Sequence, residues 1–126
     1  MFANTKAYSG FAVDDLGRAK EFYGETLGIE IATLDEENGL LSLHLAGDRD
    51  TLVYQKPGFT PANYTILNFQ VDDIDKAVDD LAARGVQVEH YDGFDQDEKG
   101  ISRRGPSIAW FKDPAGNILS VLEERG

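Results

Sequence analysis

His44 and His90 are the only two histidines in the chain, and it has no cysteine. An imidazole titrates near neutrality, so either one can act as a general base or hydrogen-bond a ligand. Along Leu41–Ala46 leucines alternate with Ser42 and His44, which sets His44 on the polar side of a strand. A strand histidine satisfied by a neighbouring side chain is the plainer alternative. His90 follows Glu89 at the end of a strand candidate and reads as a surface or rim residue. A metal site built from both histidines and a glutamate is conceivable. Tyr8, Tyr54 and Tyr64 offer aromatic faces with a polar handle, suited to stacking on a planar or cationic ligand or to packing in a core. Trp110, the one tryptophan, has the same two readings. Arg103 and Arg104 are adjacent in a polar stretch, where they can clamp an anion or stay solvated. The lack of cysteine excludes disulfides, zinc–thiolate sites and thiol nucleophiles. No phosphate-binding glycine loop, Ser-His-Asp set or carboxylate pair stands out. His44 is therefore the sole candidate catalytic residue.

The elements that must position these side chains come from a chain of 126 residues, enough for one compact domain with a proper core. Its net charge of −11 opposes binding to a phosphate backbone, so nucleic acid is not an expected partner. The same acidity favours solubility, or attraction of a cationic ligand. The first residues lack a signal-peptide pattern, and no apolar run is long enough to span a bilayer. A cytoplasmic protein without membrane contact is the expectation.

A shift of 58 positions lays Phe11–Leu16 on Phe69–Ile74 and Ala19 on Ala77. Each copy starts as an alternating strand, turns at Asp-Asp and enters a helix. Leu16, Ala19, Phe22, Tyr23 and Leu27 share one helical face, as do Ile74, Ala77, Val78 and Leu81. Gly28 and Gly85 stand where each helix should stop. The paired aspartates, Asp14 and Asp15, then Asp72 and Asp73, fit helix N-caps better than catalysis. Strand candidates follow at Ile29–Leu34, Leu40–Ala46 and Thr51–Gln55, and again at Val86–His90, Ser107–Lys112 and Asn117–Glu123. Asp113-Pro-Ala-Gly-Asn joins the last two as a tight hairpin. The stretch Gly93–Pro106 reads as a mobile loop near a site. The predicted fold class is α+β, a single domain over 1–126 made of two tandem βαβββ modules at about 5–56 and 64–124, with a linker at 57–63.

Val13-Asp-Asp-Leu followed by Phe22-Tyr23 and Leu27-Gly28-Ile29, with Trp110-Phe-Lys-Asp-Pro-Ala-Gly-Asn-Ile near the end, resembles the glyoxalase/bleomycin resistance protein/extradiol dioxygenase (vicinal oxygen chelate) superfamily. The resemblance runs from Tyr8 to Glu123. It implies a cup-shaped mixed sheet with the helices outside. It also implies that four strand positions, held by His or Glu in the metal enzymes, point into the cup. In this sequence those positions fall on Tyr8, Tyr54, Ile66 and Ser120. Isoleucine has no donor atom, and neutral tyrosine and serine are poor metal ligands. Strand alternation adds Tyr64 and Asn68 to the same side as Ile66.

The reading that follows is a metal-free, cofactor-free protein similar to the bleomycin-resistance branch, which holds a small organic molecule. Its expected ligand-binding residues are Tyr8, His44, Tyr54, Tyr64, Ile66, Asn68, Trp110, Ser120 and Arg104. The resemblance also implies a homodimer. The alternative is a glyoxalase-like lyase or isomerase, or a dioxygenase, with an atypical metal site. A third possibility is an interaction or regulatory module.

Overall fold

The computed structural model describes residues 1–123. The chain divides into two compact units, one ending at Pro61 and the next starting at Ala62. The folding logic of the first unit is a strand, a helix and three further strands. β1 (Gly10–Val13) runs into α1 (Leu16–Lys20), which continues as a π-helical turn at Glu21–Thr26. β2 (Glu30–Asp35), β3 (Leu40–Leu45) and β4 (Arg49–Gln55) complete a sheet of order β1-β4-β3-β2, in which only the β1–β4 pair is parallel.

As the Asp-Asp pair suggests, Asp15 caps α1, its carboxylate accepting from the Arg18 N–H at 3.1 Å. The π turn is a local departure from the predicted α-helix. Leu27 N–H reaches back five residues to the Phe22 carbonyl at 2.9 Å. The wider turn lets adjacent Phe22 and Tyr23 both turn inward, with ring centroids 5.1 Å apart and edge to face. Tyr23 also meets Phe11 of β1 at 5.6 Å. Phe11 and Val13 of β1, Leu41 and Leu43 of β3 and Val53 of β4 bury the face of the sheet on the side of α1.

The second unit repeats the plan with one strand fewer. β5 (Thr65–Gln70) leads to α2 (Ile74–Ala83), capped by Asp73 through the Lys76 N–H, and the sheet is completed by β6 (Ser107–Lys112) and β7 (Ile118–Glu123) in the order β5-β7-β6. The helix ends at Gly85 (φ 79°), where Gly85 N–H bonds to Ala82 O and Val86 N–H to Leu81 O. Both first helices receive a second cap from the last strand of their own unit. Leu16 N–H donates to Gln55 Oε1 at 2.9 Å, and Ile74 N–H to Glu123 Oε1 at 3.0 Å.

Two expectations need correction here. The strand predicted at Val86–His90 is not a strand. Val86 and Val88 are buried as an alternating pattern requires, but among the described residues the segment makes one ladder bond, from Glu89 N–H to Trp110 O. A side chain takes the place of a neighbouring strand at its end. The Gln96 amide donates to Glu89 O at 2.9 Å and accepts from Tyr91 N–H at 2.7 Å, standing in for a neighbouring strand. The stretch predicted to be a mobile loop, Gly93–Pro106, is likewise tied down. Ile101 is buried, and Ser102 exchanges two backbone hydrogen bonds with Ile108. Lys99 pairs with Asp75 and Asp79 of α2, and Arg103 bridges Asp75 and Asp97. Among the described residues, no helix is long and apolar enough to cross a membrane.

Candidate functional site

Each unit has a sheet face that its own helix does not cover, and the chemistry-bearing side chains lie on these faces. In the first unit, three strands place Glu30, His44 and Asp50 side by side, since His44 is in register with both acids. His44 Nδ1 lies 2.7 Å from Asp50 Oδ1. That hydrogen bond, and then the Asp50 charge, raises the His44 pKa above the ordinary 6.5, with smaller help from Glu30 and Asp48. The pair is exposed, so its consequence is ionisation more than stability. Because the folded-state pKa is raised, the stabilising contribution is complete below the unfolded value. It fades as pH rises through the folded one. An NMR titration of the His44 ring should therefore give a midpoint above 6.5, and Asp50→Asn should bring it down towards that value.

The tyrosines that sequence reasoning grouped are placed differently. Tyr54 sits on β4, opposite Ala12 and Leu40. Tyr8 stays outside the first sheet, whose ladder begins with Leu52 N–H to Ser9 O, and its side chain is 73% exposed. Tyr64 likewise precedes β5 and is 67% exposed. Arg104 is exposed, 3.7 Å from Asp95, and Arg103 is occupied by its aspartates. His90 is exposed at the end of the Val86–His90 segment.

The second unit assembles more. Trp110 on β6 and Asn68 on β5 are both in register with Ser120 on β7, so the three form one row on one face. Ser120 is fully buried, and its hydroxyl donates to Asn68 Oδ1 at 2.6 Å. Ile66 lies at an irregularity in the β5–β7 register between Thr65 and Leu67. Trp110 is half-buried and packs against two aromatic rings that sequence reasoning missed. Tyr91 is 5.8 Å away and Phe94 5.2 Å, with 5.7 Å between those two. Their only sequence signal was a pair of aromatic residues three apart in a polar stretch. What brings them to Trp110 is the Gln96 clasp and the bond from Glu89 to Trp110.

The Tyr91 hydroxyl is buried, and among the described residues none hydrogen-bonds it. Burial pushes its pKa up, the Glu89 charge acts in the same direction, and Lys112 opposes. An unsatisfied buried hydroxyl costs roughly 1–3 kcal/mol. Tyr91→Phe should thus leave the fold intact and stabilise it by about 1 kcal/mol, read as a higher urea midpoint at constant slope.

A divalent metal does not fit the residues at the four strand positions. Tyr8 is off the ladder, Ile66 has no donor, and the Ser120 hydroxyl is engaged with Asn68. Among the described residues, no group of three or more His, Asp or Glu side chains is placed to hold a metal ion.

Comparison with known proteins adds to this geometry. The chain is 30% identical over 125 residues to the uncharacterized protein YraH of Bacillus subtilis (strain 168), covering 88% of this chain and 91% of that one. It shares its fold with a putative glyoxalase family protein from Bacillus anthracis, with a TM-score of 0.72, 23% identity, and coverage of 99% of this chain and 100% of that one. A third relative is TnmS3, an antibiotic binding protein from Streptomyces sp. CB03234, with a TM-score of 0.69, 26% identity, and coverage of 97% and 98%. The family model of the Glyoxalase/Bleomycin resistance protein/Dioxygenase superfamily matches residues 7–121, with the two-unit α+β plan described above, and the chain belongs to that superfamily.

Proposed function

We propose that this protein binds a small organic molecule without a metal and releases it unchanged. The observation that carries the reading is the state of Ser120. At a position where the family's metal enzymes hold a ligand to the ion, the chain has a buried hydroxyl already bonded to Asn68. Beside it stands an aromatic cluster, Trp110 with Tyr91 and Phe94, of the kind that binds organic rings by stacking. TnmS3, at 26% identity an antibiotic binding protein, supports the same direction. The reading takes the protein to be cytoplasmic and, on the resemblance, a homodimer. Elemental analysis of the purified protein, paired with thermal-shift screening of planar organic compounds, tests it. Substoichiometric metal and a ligand-dependent rise in melting temperature are expected. Stoichiometric divalent metal that disappears in His44→Ala would overturn it.

A second reading, an enzyme, is favoured by one observation. Asp50 holds His44 at 2.7 Å and raises its pKa, as a carboxylate does for a general base. Bound compounds recovered chemically altered from wild-type protein, but intact from His44→Ala, would establish it.

A further inference from the structure

Trp110, Ser120 and Asn68 occupy successive strands of one sheet, in the order β6, β7, β5. Neighbouring strands lie about 4.8 Å apart, so the backbone positions of Trp110 and Asn68 are separated by about 10 Å. The two ends of this row differ in chemistry. At one end, the Trp110 and Phe94 rings pack with centroids 5.2 Å apart, and Phe94 is 54% exposed. At the other, the Asn68 amide is polarised. Its Oδ1 accepts the Ser120 proton, which leaves the Nδ2 group of this exposed residue as a hydrogen-bond donor. The cation that β6 supplies, Lys112, lies 3.5 Å from Glu89, and the chain as a whole carries a net charge of −11.

From these placements we infer that the face of the second unit recognises an uncharged planar molecule of fused aromatic rings with a carbonyl-type acceptor at one end. The rings stack beside Trp110 and Phe94, and the acceptor takes a hydrogen bond from Asn68 Nδ2. The buried Ser120 acts through Asn68 as a positioning residue, fixing which end of the amide faces the ligand. An anionic counterpart is disfavoured, because no unpaired cation on β6 meets it and the protein's field repels it. This inference rests on the binding reading above and names the ligand class for that site.

Three probes of one shape test it on the full chain: 2-acetylnaphthalene, 2-ethylnaphthalene and 2-naphthoate. The readout is the indole Nε1–H signal of Trp110, unambiguous because the chain has one tryptophan. The acetyl compound should bind about three- to tenfold more tightly than the ethyl compound, the range for one net hydrogen bond. It should also bind more tightly than the naphthoate. Asn68→Asp keeps an acceptor for Ser120 but replaces the donor, so the acetyl preference should vanish while ethyl affinity is retained. Trp110→Leu should weaken all three, with circular dichroism melts confirming that both variants fold. Equal affinity for the acetyl and ethyl compounds in the wild type overturns the inference, and this arm needs no variant. So does tightest binding of the naphthoate, an unchanged preference in Asn68→Asp, or an indole signal that none of the probes moves. Stoichiometric metal in the same preparation would instead remove the binding reading, so the two failures are separable.

Discussion

Replacing Gly100 by alanine is expected to cost about 2–5 kcal/mol, the sum of a left-handed backbone and an overpacked contact. Gly100 has φ 87°, a conformation that costs an L-residue with a Cβ roughly 1–2 kcal/mol. A Cβ there would stand 2.6 Å from Val88 Cγ1, with His90 Nε2 at 3.4 Å. Val88 is buried and β-branched, so it has few rotamers into which to retreat. The loss is a large part of the stability of an ordinary domain. It also falls on the segment that holds Phe94 and, through the bond from Gln96 to Gly100 O, the clasp on Tyr91. Urea unfolding should show a lower midpoint with an unchanged slope. Val88→Ala combined with Gly100→Ala should be more stable than the two single losses predict, because the shortened side chain makes room for the methyl group. If the two losses simply add, the contact with Val88 is not the cause.

Asp113→Ala should be of similar size, about 3 kcal/mol, because it strips acceptors from buried donors. Asp113 is 5% exposed at the β6–β7 turn. Its Oδ1 accepts from the N–H groups of Ala115 at 3.0 Å and Asn117 at 2.8 Å, and its Oδ2 accepts from Asn117 Nδ2 at 3.1 Å. Alanine would leave the buried Asn117 amide without these partners, the costly side of a lost hydrogen bond. Asp113→Asn, which keeps one oxygen for the backbone pair, should lose less. The turn also sets the register that brings Trp110 opposite Ser120. A one-residue slip would exchange the two faces of β7. Denaturation midpoints measure the first effect, and a displaced Trp110 indole resonance reports the second. A variant with wild-type midpoint and spectrum would show that the turn is held by its backbone alone.

Much of this fold was legible in the sequence because its signals are local. The offset of 58 positions marked both units, the second aspartate of each Asp-Asp pair became an N-cap, and Asp113–Asn117 became the turn it resembles. The expected placement of Asn68 and Ser120 on one side is also reproduced, with Leu119 and Val121 buried on the other. What the sequence hid depends on partners distant along the chain. Nothing local reveals that Gln96 would supply the bonds a strand normally gives to Glu89 and Tyr91, so Val86–His90 read as a strand. Arg103, readable as an anion clamp or a solvated charge, and Lys99 in the same stretch find their partners on α2, at Asp75 and Asp79. The aromatic cluster was half visible for the same reason. Trp110 lies in a strand that alternation locates, whereas Tyr91 and Phe94 are aimed by that clasp. Asp50 as the partner of His44 was within reach, since a hairpin between β3 and β4 places them opposite each other.

The Gln96 clasp and the paired Ser102 also decide how this chain meets other chains. An outermost strand with bare N–H and C=O groups invites a foreign strand to add on, the first step towards fibrils. On the β6 side of the second sheet that row is covered by its own chain, through Glu89 against Trp110 and Ser102 against Ile108. On the β2 side of the first sheet, an irregularity at Thr33/Asp35 breaks the row, and Glu30 and Asp35 charge it. A protein of alternating apolar strands thus keeps both of these margins closed to polymer growth.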